Sequence, residues 1–419
     1  MRFFLVVYML ASTVASASEN DWPAFRGPHG TGITQPGNFP TSWSPTDNIR
    51  WSVALPQPGN GSAVVVGDRV FVTSAEDSEG HIRTLFCHDV VSGKERWRQS
   101  VTVNQTMPTH KTNPYAGTTP ACHGDHVVVW HSTGGLHAYS LRGESLWSHD
   151  LGEYRHMWGY GTSPIIYDDH VILHTGPGRR VFVIAFDLET GKELWRHEEP
   201  VAGTGERNQD GRYMGSWATP VITTSEDRVL ALCSMATRLC AFDIQTGELV
   251  WFCSGLSGTG GDLAYSSPMI ENDLCVTIGG FRGPGIGLRI QGTGDLTKKR
   301  LWRNESNPQN IGTGLFINGH VYRVGAGPSV IDCMDATTGT ILWKERAAGG
   351  TYWGSLVYDG RYALATDQEG RTIVFQPSPE GFVQIGLNAL EDTCNSTPAL
   401  AGDTIFIRTH QKLWCIRHE

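Results

Sequence analysis

Short apolar runs separated by polar turns fill this chain, and their spacing predicts many strands rather than long helices. Between Trp147 and Trp195 four such runs follow one another: Thr162 to Tyr167, His170 to His174, Val181 to Asp187 and Glu193 to His197. The third ends on inward-facing Val183 and Ala185, a polar corner follows from Asp187 to Gly191, and the fourth carries Trp195. A Thr-Gly pair closing a short connection suits a position that needs φ > 0, where glycine has no Cβ to clash. The Asp187 carboxylate can accept turn N–H groups, which is a structural role.

The corner repeats. Asp89, Gly93 and Trp97 share its spacing with Asp187, Gly191 and Trp195, with Asp243, Gly247 and Trp251, and with Asp335, Gly339 and Trp343. Two copies are degraded: Ser140 replaces the Asp before Gly143 and Trp147, and Leu288 to Trp302 keeps mainly the Trp. From Trp51 to Trp343 these tryptophans recur at steps of 41 to 56 residues, with four strand-like runs expected in each step. Regular four-stranded units of that length are the pattern of propeller blades.

First strands start near Ser62, Thr119, Ser163, Thr219, Ser267, Thr313, Ser355 and Thr397, which makes eight blades. The last unit runs out after three strands, at Lys412 to Ile416, so Asn48 to Leu55 is expected to complete it and close the ring. Closure removes the open sheet edge. The expected fold is therefore all-β: an eight-bladed propeller of four-stranded antiparallel blades. Each repeated Trp should wedge between neighbouring blades with its indole N–H on a carbonyl.

Arg2, the apolar run Phe3 to Leu10 and the small residues ending Ala15-Ser16-Ala17 read as a secretory signal cleaved near Ala17. The run is too short to span a bilayer. Residues 1–17 are thus expected to be a leader, 18–47 an arm anchored by Trp22, Phe25 and Trp43, and 48–419 the propeller. The expected product is exported, periplasmic or extracellular, without a membrane span, and monomeric. A net charge of −9, spread without long like-charge runs, argues against a nucleic-acid partner, which demands a basic footprint. Nine Cys leave at least one unpaired within a chain. If Ala236-Thr237 is a two-residue turn, Cys233 and Cys240 fall opposite each other, where a disulfide and a pair of small buried thiols are equally compatible.

The Ala-x-Asp-x-x-Thr-Gly-x-x-x-Trp repeat, seen at Ala185 to Trp195 and Ala241 to Trp251, resembles the pyrroloquinoline-quinone-like repeat. That repeat occurs in quinoprotein alcohol dehydrogenases and in outer-membrane β-barrel assembly lipoproteins. The opening Trp22-Pro23-x-Phe25-Arg26-Gly27-Pro28 is similar to that of exported bacterial propellers carrying the same repeats. The resemblance implies two functions: a non-catalytic scaffold, or a quinone- and calcium-dependent dehydrogenase with its cofactor on the ring axis. The dehydrogenases hold an adjacent-cysteine disulfide above the quinone, and this sequence has no adjacent cysteines; it also lacks C-x-x-C-H for an attached haem. A non-catalytic module is therefore the expectation, with no cofactor, and the quinone–calcium enzyme is the alternative.

No G-x-S-x-G, H-E-x-x-H, Walker loop or G-x-G-x-x-G occurs, and no catalytic or metal-ligating residue is assigned. His126 and His131 have opposite parity along one strand, so they do not converge on a metal. The candidate site is instead a class of positions. The segment before each first strand crosses one face of the ring toward the axis, and these segments carry Tyr115, His156, Trp158, Tyr160, Arg212, Tyr213, Trp217, Asp262, Tyr265, Asn310, Tyr352, Trp353, Asp392 and Asn395. Aromatic side chains with a few polar groups on a concave surface suit recognition of a protein, a peptide or a glycan.

Overall fold

The computed structural model describes residues 20–418 apart from residue 328; the leader lies outside the described residues. Eight blades follow in order around a ring, each of four antiparallel strands, and the fourth blade gains a fifth strand at its edge. Blade 1 holds Val64–Val66, Arg69–Ala75, Ile82–Asp89 and Glu95–Thr102, and blade 3 holds Ile165–Tyr167, His170–His174, Val181–Asp187 and Glu193–Glu199. Ile49–Ala54 pairs antiparallel with Lys412–Ile416, Trp51 opposite Cys415, and completes blade 8. The ring closes as the unmatched last unit predicts. Among the described residues no helix is long and apolar enough to cross a membrane.

The repeated corner works through three linked contacts. The Asp187 carboxylate accepts the Thr190 N–H at 2.7 Å and the Thr190 hydroxyl at 2.5 Å. A register shift falls just before the Asp in each copy, at Cys87/His88, Ala185/Phe186, Ala241/Phe242 and Cys333/Met334, and turns the strand into the corner. Gly191, at φ 69°, then lies under the ring of Trp147 from the preceding blade, where a Cβ would come within 2.6 Å of that indole. The same Trp donates its N–H to Leu188 O at 2.8 Å. Trp51, Trp97, Trp195 and Trp302 repeat this bond onto Val90, Leu141, Ile244 and Ala336.

Trp251 breaks the rule. It is fully buried, yet among the described residues its indole N–H has no acceptor. The next blade is one of the two with a degraded corner, and an insertion there adds Gly294–Asp295 as a parallel fifth strand beside Trp251 and Phe252. A second departure from four runs per step joins the same two blades: Tyr213–Ser216 pairs parallel with Gly261–Ala264, both ahead of their first strands.

Cys233 and Cys240 do face each other across the two-residue turn, but no bridge joins them. All nine thiols are free and buried, packed as small hydrophobic side chains between blades. Burial pushes the Cys240 thiol up to about 12, which keeps it protonated.

A belt of hydroxyls holds the inner ends of the blades together. The Ser62 N–H donates to Thr119 Oγ1 at 2.9 Å, Thr119 to Ser163, and Ser163 to Thr219. On the other side Ser267 donates to Thr313, Thr313 to Ser355, Ser355 to Thr397, and Thr397 back to Ser62 at 3.0 Å. Among the described residues only the link from Thr219 to Ser267 has no such bond, and the parallel ribbon of Tyr213–Ser216 with Gly261–Ala264 sits at that junction. The belt fixes the register of every first strand, and through it the direction of the residues just upstream.

Residues 22–34 cross one end of the axis. Trp22 exchanges two backbone bonds with Val65 of blade 1, Cys122 of blade 2 donates to Pro23 O, and Tyr358 of blade 7 donates to Gly32 O. Arg26, almost wholly buried, donates to Thr31 O and to Gly314 O of blade 6. Desolvation pulls its guanidinium down to about 9, so it stays charged at neutral pH.

Candidate functional site

The residue two before each belt hydroxyl turns toward the axis, because successive side chains of an extended segment alternate sides. In blade order these are Asn60, Gly117, Gly161, Trp217, Tyr265, Ile311, Trp353 and Asn395, and all eight line one cavity of about 320 Å³. The belt residues Thr219, Ser267, Thr313, Ser355 and Thr397 line it deeper, and Phe25 of the crossing arm contributes at its far end. In blades 2 to 8 the residue three before the hydroxyl points the opposite way and is buried behind the wall: Ala116, Tyr160, Ser216, Ala264, Asn310, Tyr352 and Cys394.

The wall is not uniform. Blades 4 to 7 present Trp217, Tyr265, Ile311 and Trp353, while blades 8, 1, 2 and 3 present Asn395, Asn60, Gly117 and Gly161. Rings pack around Trp217: Tyr265 tilted at 5.4 Å between centroids, Trp158 tilted at 5.8 Å, and His156 edge-on at 4.8 Å. The Trp217 N–H is taken by Gly159 O at 3.0 Å. Phe281, half-exposed at φ 52°, adds a ring to the aromatic side from a loop where the neighbouring Arg282 also has positive φ. Such backbone is costly for a bulky residue and persists only where the surroundings impose it.

A strap overhangs the polar side. Asn60 and Asn395 both donate from Nδ2 to Thr112 O, at 2.8 and 3.1 Å, and Asn113 donates to Trp158 O and Tyr160 O. His110, Thr112 and Asn113 thereby join the lining. Among the described residues no Asp, Glu, Lys or Arg lines the cavity. Asn60 Oδ1 is buried without a partner, and the Trp353 ring has neither a stacked ring nor an acceptor for its N–H among those residues.

The sequence profile described as outer membrane protein assembly factor BamB matches residues 41–277, more than half of the chain. The chain belongs to the BamB family. It is 23% identical over 381 residues to the outer membrane protein assembly factor BamB of Burkholderia pseudomallei (strain K96243), covering 88% of each. BamB from Moraxella catarrhalis superposes with a TM-score of 0.59 at 15% identity, over 88% of this chain and 97% of that one. The quinohemoprotein alcohol dehydrogenase from Comamonas testosteroni superposes at 0.64 with 12% identity, over 95% of this chain and 81% of the enzyme. At these identities the structural likenesses speak for the fold alone.

Of the candidate residues in this BamB-family propeller, Trp158, Trp217, Tyr265, Trp353 and Asn395 line the cavity. The others lie outside it, for identifiable reasons. Tyr160, Asn310 and Tyr352 sit at the buried parity: the Tyr160 hydroxyl donates to Tyr115 O, Asn310 Nδ2 to Val324 O, and Tyr352 to Ala348 O. Tyr115 turns under the loop before blade 2, donating to Met107 O with the Arg83 guanidinium over its ring. His156 props the aromatic wall from behind, with burial lowering its pKa even though Met214 O engages its Nε2. Asp262 accepts Asn208 Nδ2 at 2.7 Å, Arg212 pairs with Asp210 at 2.8 Å beneath the Arg207–Tyr213 stack, and Asp392 accepts the Gln411 N–H. Sequence reasoning missed Asn60, Gln309, Ile311, Phe281, the strap and Phe25. The first and third of these were readable from their place two residues before the Ser or Thr that opens a blade.

Proposed function

We propose that this BamB-family propeller is an exported, non-catalytic recognition module that takes its ligand in the axial cavity. The observation that carries this is the divided wall: one position per blade, set by a shared belt, with aromatic side chains on one arc and amides or glycines on the other. A concave site with aromatic surface and a few directed polar groups is what recognition needs, and its size is at the small-ligand end of the usual range. The name of the family's members supports a scaffold role in outer membrane protein assembly, with protein partners; the cavity then acts as the selective element of that scaffold.

The quinone–calcium alternative suits these residues poorly. Calcium is held by six to eight oxygens, carboxylates prominent among them, and among the described residues the cavity offers amide, hydroxyl and indole groups but no carboxylate. The recognition reading is tested by placing a benzophenone amino acid at Trp353 and, separately, at the exposed outer-strand position Leu342, and irradiating intact cells. Adducts at position 353 with few at 342 are expected. Equal labelling at the two, or none at 353, would overturn it.

A further inference from the structure

We propose that the axial cavity is built for a neutral, hydroxyl-rich ring: a saccharide, entering as a free sugar or as the end of a glycan. The inference rests on the cavity being the recognition site, and it adds the ligand class.

Charge is the first constraint. The lining holds no Asp, Glu, Lys or Arg among the described residues, and its one imidazole, His110 on the strap, is engaged at Nδ1 by Thr112 Oγ1, so an ionic ligand would leave water for a wall with little to pair with it. Shape is the second. Trp217, Tyr265 and Trp353 offer flat apolar surface on one arc, and in an eight-membered ring blade 4 stands across from blade 8 and blade 5 across from blade 1, so Trp217 faces Asn395 and Tyr265 faces Asn60. A pyranose has the matching division, with an apolar C–H face and a rim of hydroxyls. Side-chain amides suit that rim because each carries both a donor and an acceptor. Asn395, whose Oδ1 takes Gln368 Nε2 and whose Nδ2 gives one N–H to Thr112 O, keeps its second N–H, and the Gln309 side chain has no hydrogen bond among the described residues.

Uncommitted groups point the same way. Among the described residues Asn60 Oδ1 is buried with no donor, while Asn60 Nδ2 is spent on Thr112 O and Asn113 Oδ1. A buried amide oxygen left so is costly unless a ligand or water supplies the donor. Trp353 keeps a half-buried ring face and an indole N–H with no protein acceptor among the described residues, unlike Trp217, whose N–H is held by Gly159 O.

An extended peptide fits less well. Strand-like capture needs free backbone groups along the site. Here the N–H groups of Ser62, Thr119, Ser163, Ser267, Thr313, Ser355 and Thr397 are all spent on the belt. The crossing arm with Phe25 also closes the far end, so a polymer can present an end to the cavity and cannot thread it.

The experiment is calorimetric and NMR titration of the whole mature protein with glucose, N-acetylglucosamine, cellobiose and maltoheptaose. β-Cyclodextrin serves as a glycan without ends, glucuronate as a charged sugar, and an end-capped neutral peptide as the competing class. Neutral sugars are expected to bind, glucuronate and cyclodextrin to bind weakly or not at all, and Trp353→Ala to weaken the sugars about tenfold. Binding confined to mono- and disaccharides would identify free sugars as the source, and stronger binding of maltoheptaose would identify chain ends. Gly161→Leu, which projects into the cavity from the far arc where an added Cβ meets only Trp217 at 3.5 Å, should act in the same direction. If no sugar binds while the peptide does, and Trp353→Ala weakens the peptide, the ligand class is wrong and the cavity remains the recognition site. If sugars bind with equal strength to wild type, Trp353→Ala and Gly161→Leu, the proposal fails and so does the cavity as the site.

Discussion

The two arcs of the axial wall differ most in side chains; in backbone the aromatic arc departs at the junction of blades 4 and 5, where the parallel ribbon and the fifth strand lie and, among the described residues, one belt link is missing. Blades 8, 1, 2 and 3 place Asn395, Asn60, Gly117 and Gly161 at the same register as Trp217, Tyr265, Ile311 and Trp353 on blades 4 to 7. The Ser/Thr belt sets that register on both sides, from Ser62 to Thr119 as from Thr313 to Ser355. The difference teaches where specificity resides. A repeat can hold its scaffold constant and vary one residue per blade, and the ring converts eight such choices into a surface with an aromatic and a polar side.

Within the aromatic arc the largest effect should separate structure from recognition. Trp217 is flanked by Tyr265, Trp158 and His156 and its N–H is committed to Gly159 O, whereas Trp353 has none of these partners among the described residues. Trp217→Ala is expected to lower the free energy of unfolding by about 3 kcal/mol, and Trp353→Ala by under about 1 kcal/mol. Urea denaturation of the two variants measures this. Equal losses would mean that the aromatic arc is uniform packing and that Trp353 is not held in reserve for a ligand.

Much of this architecture was legible in the sequence because its devices are local. Asp187, Gly191 and Trp195 lie within one corner, and their spacing alone announces the turn, the positive φ and the wedge between blades. The absent fourth strand of the last blade announced ring closure. The cavity was legible only in part. Tyr352 and Trp353 are adjacent aromatics, and only the belt decides that Trp353 faces the axis while Tyr352 is buried and bonded to Ala348 O. The belt is a long-range contact, and Ser355 pairs with Thr397 across 42 residues. The strap was illegible for the same reason: nothing in the run His110 to Asn113 tells that Asn60 and Asn395 both reach Thr112 O.

The polar arc is sharpened by its two glycines. A Cβ on Gly117 would stand 2.7 Å from Tyr160 O, a backbone atom, so Gly117→Ala must displace the blade 3 segment; on Gly161 the nearest atom is Trp217 Cδ1 at 3.5 Å, an ordinary contact. Gly117→Ala is expected to cost about 2 kcal/mol by urea denaturation and Gly161→Ala less than about 0.5 kcal/mol. A large loss in Gly161→Ala would show that its bare backbone serves close packing, and that the open space on this arc is not there for a ligand.

Acid should reach the corners of both arcs alike, because their carboxylates recur around the ring, whereas the buried histidines with lowered pKa, His131 and His174 among them, lie on the polar arc. Arg96 and Ser92 hold the Asp89 carboxyl in blade 1 well below the usual range, and the Thr190 hydroxyl and N–H lower Asp187 in blade 3. In blade 6 Asp335 is lowered too: burial alone would raise it, but the Thr337 and Thr338 hydroxyls and N–H groups outweigh that. Each folded value lies below the ordinary aspartate value of 3.8, so the corner's contribution is present above about pH 4 and is lost as pH falls through the folded value. These carboxylates are near the surface, so each contributes little. Burial also holds the His131 and His174 imidazoles below their ordinary value of 6.5, and these groups take up protons on unfolding, so the urea midpoint is expected to begin falling below about pH 6.5 and to fall further by pH 3. Tryptophan fluorescence, weighted toward the blade wedges and the aromatic arc, and far-ultraviolet circular dichroism, which sees every strand, should report one coincident transition throughout. Two separated transitions at pH 3 would mean that the arcs are held together less tightly than the closed belt and the shared blade 8 imply, most plainly at the junction where Thr219 and Ser267 lack the hydroxyl link.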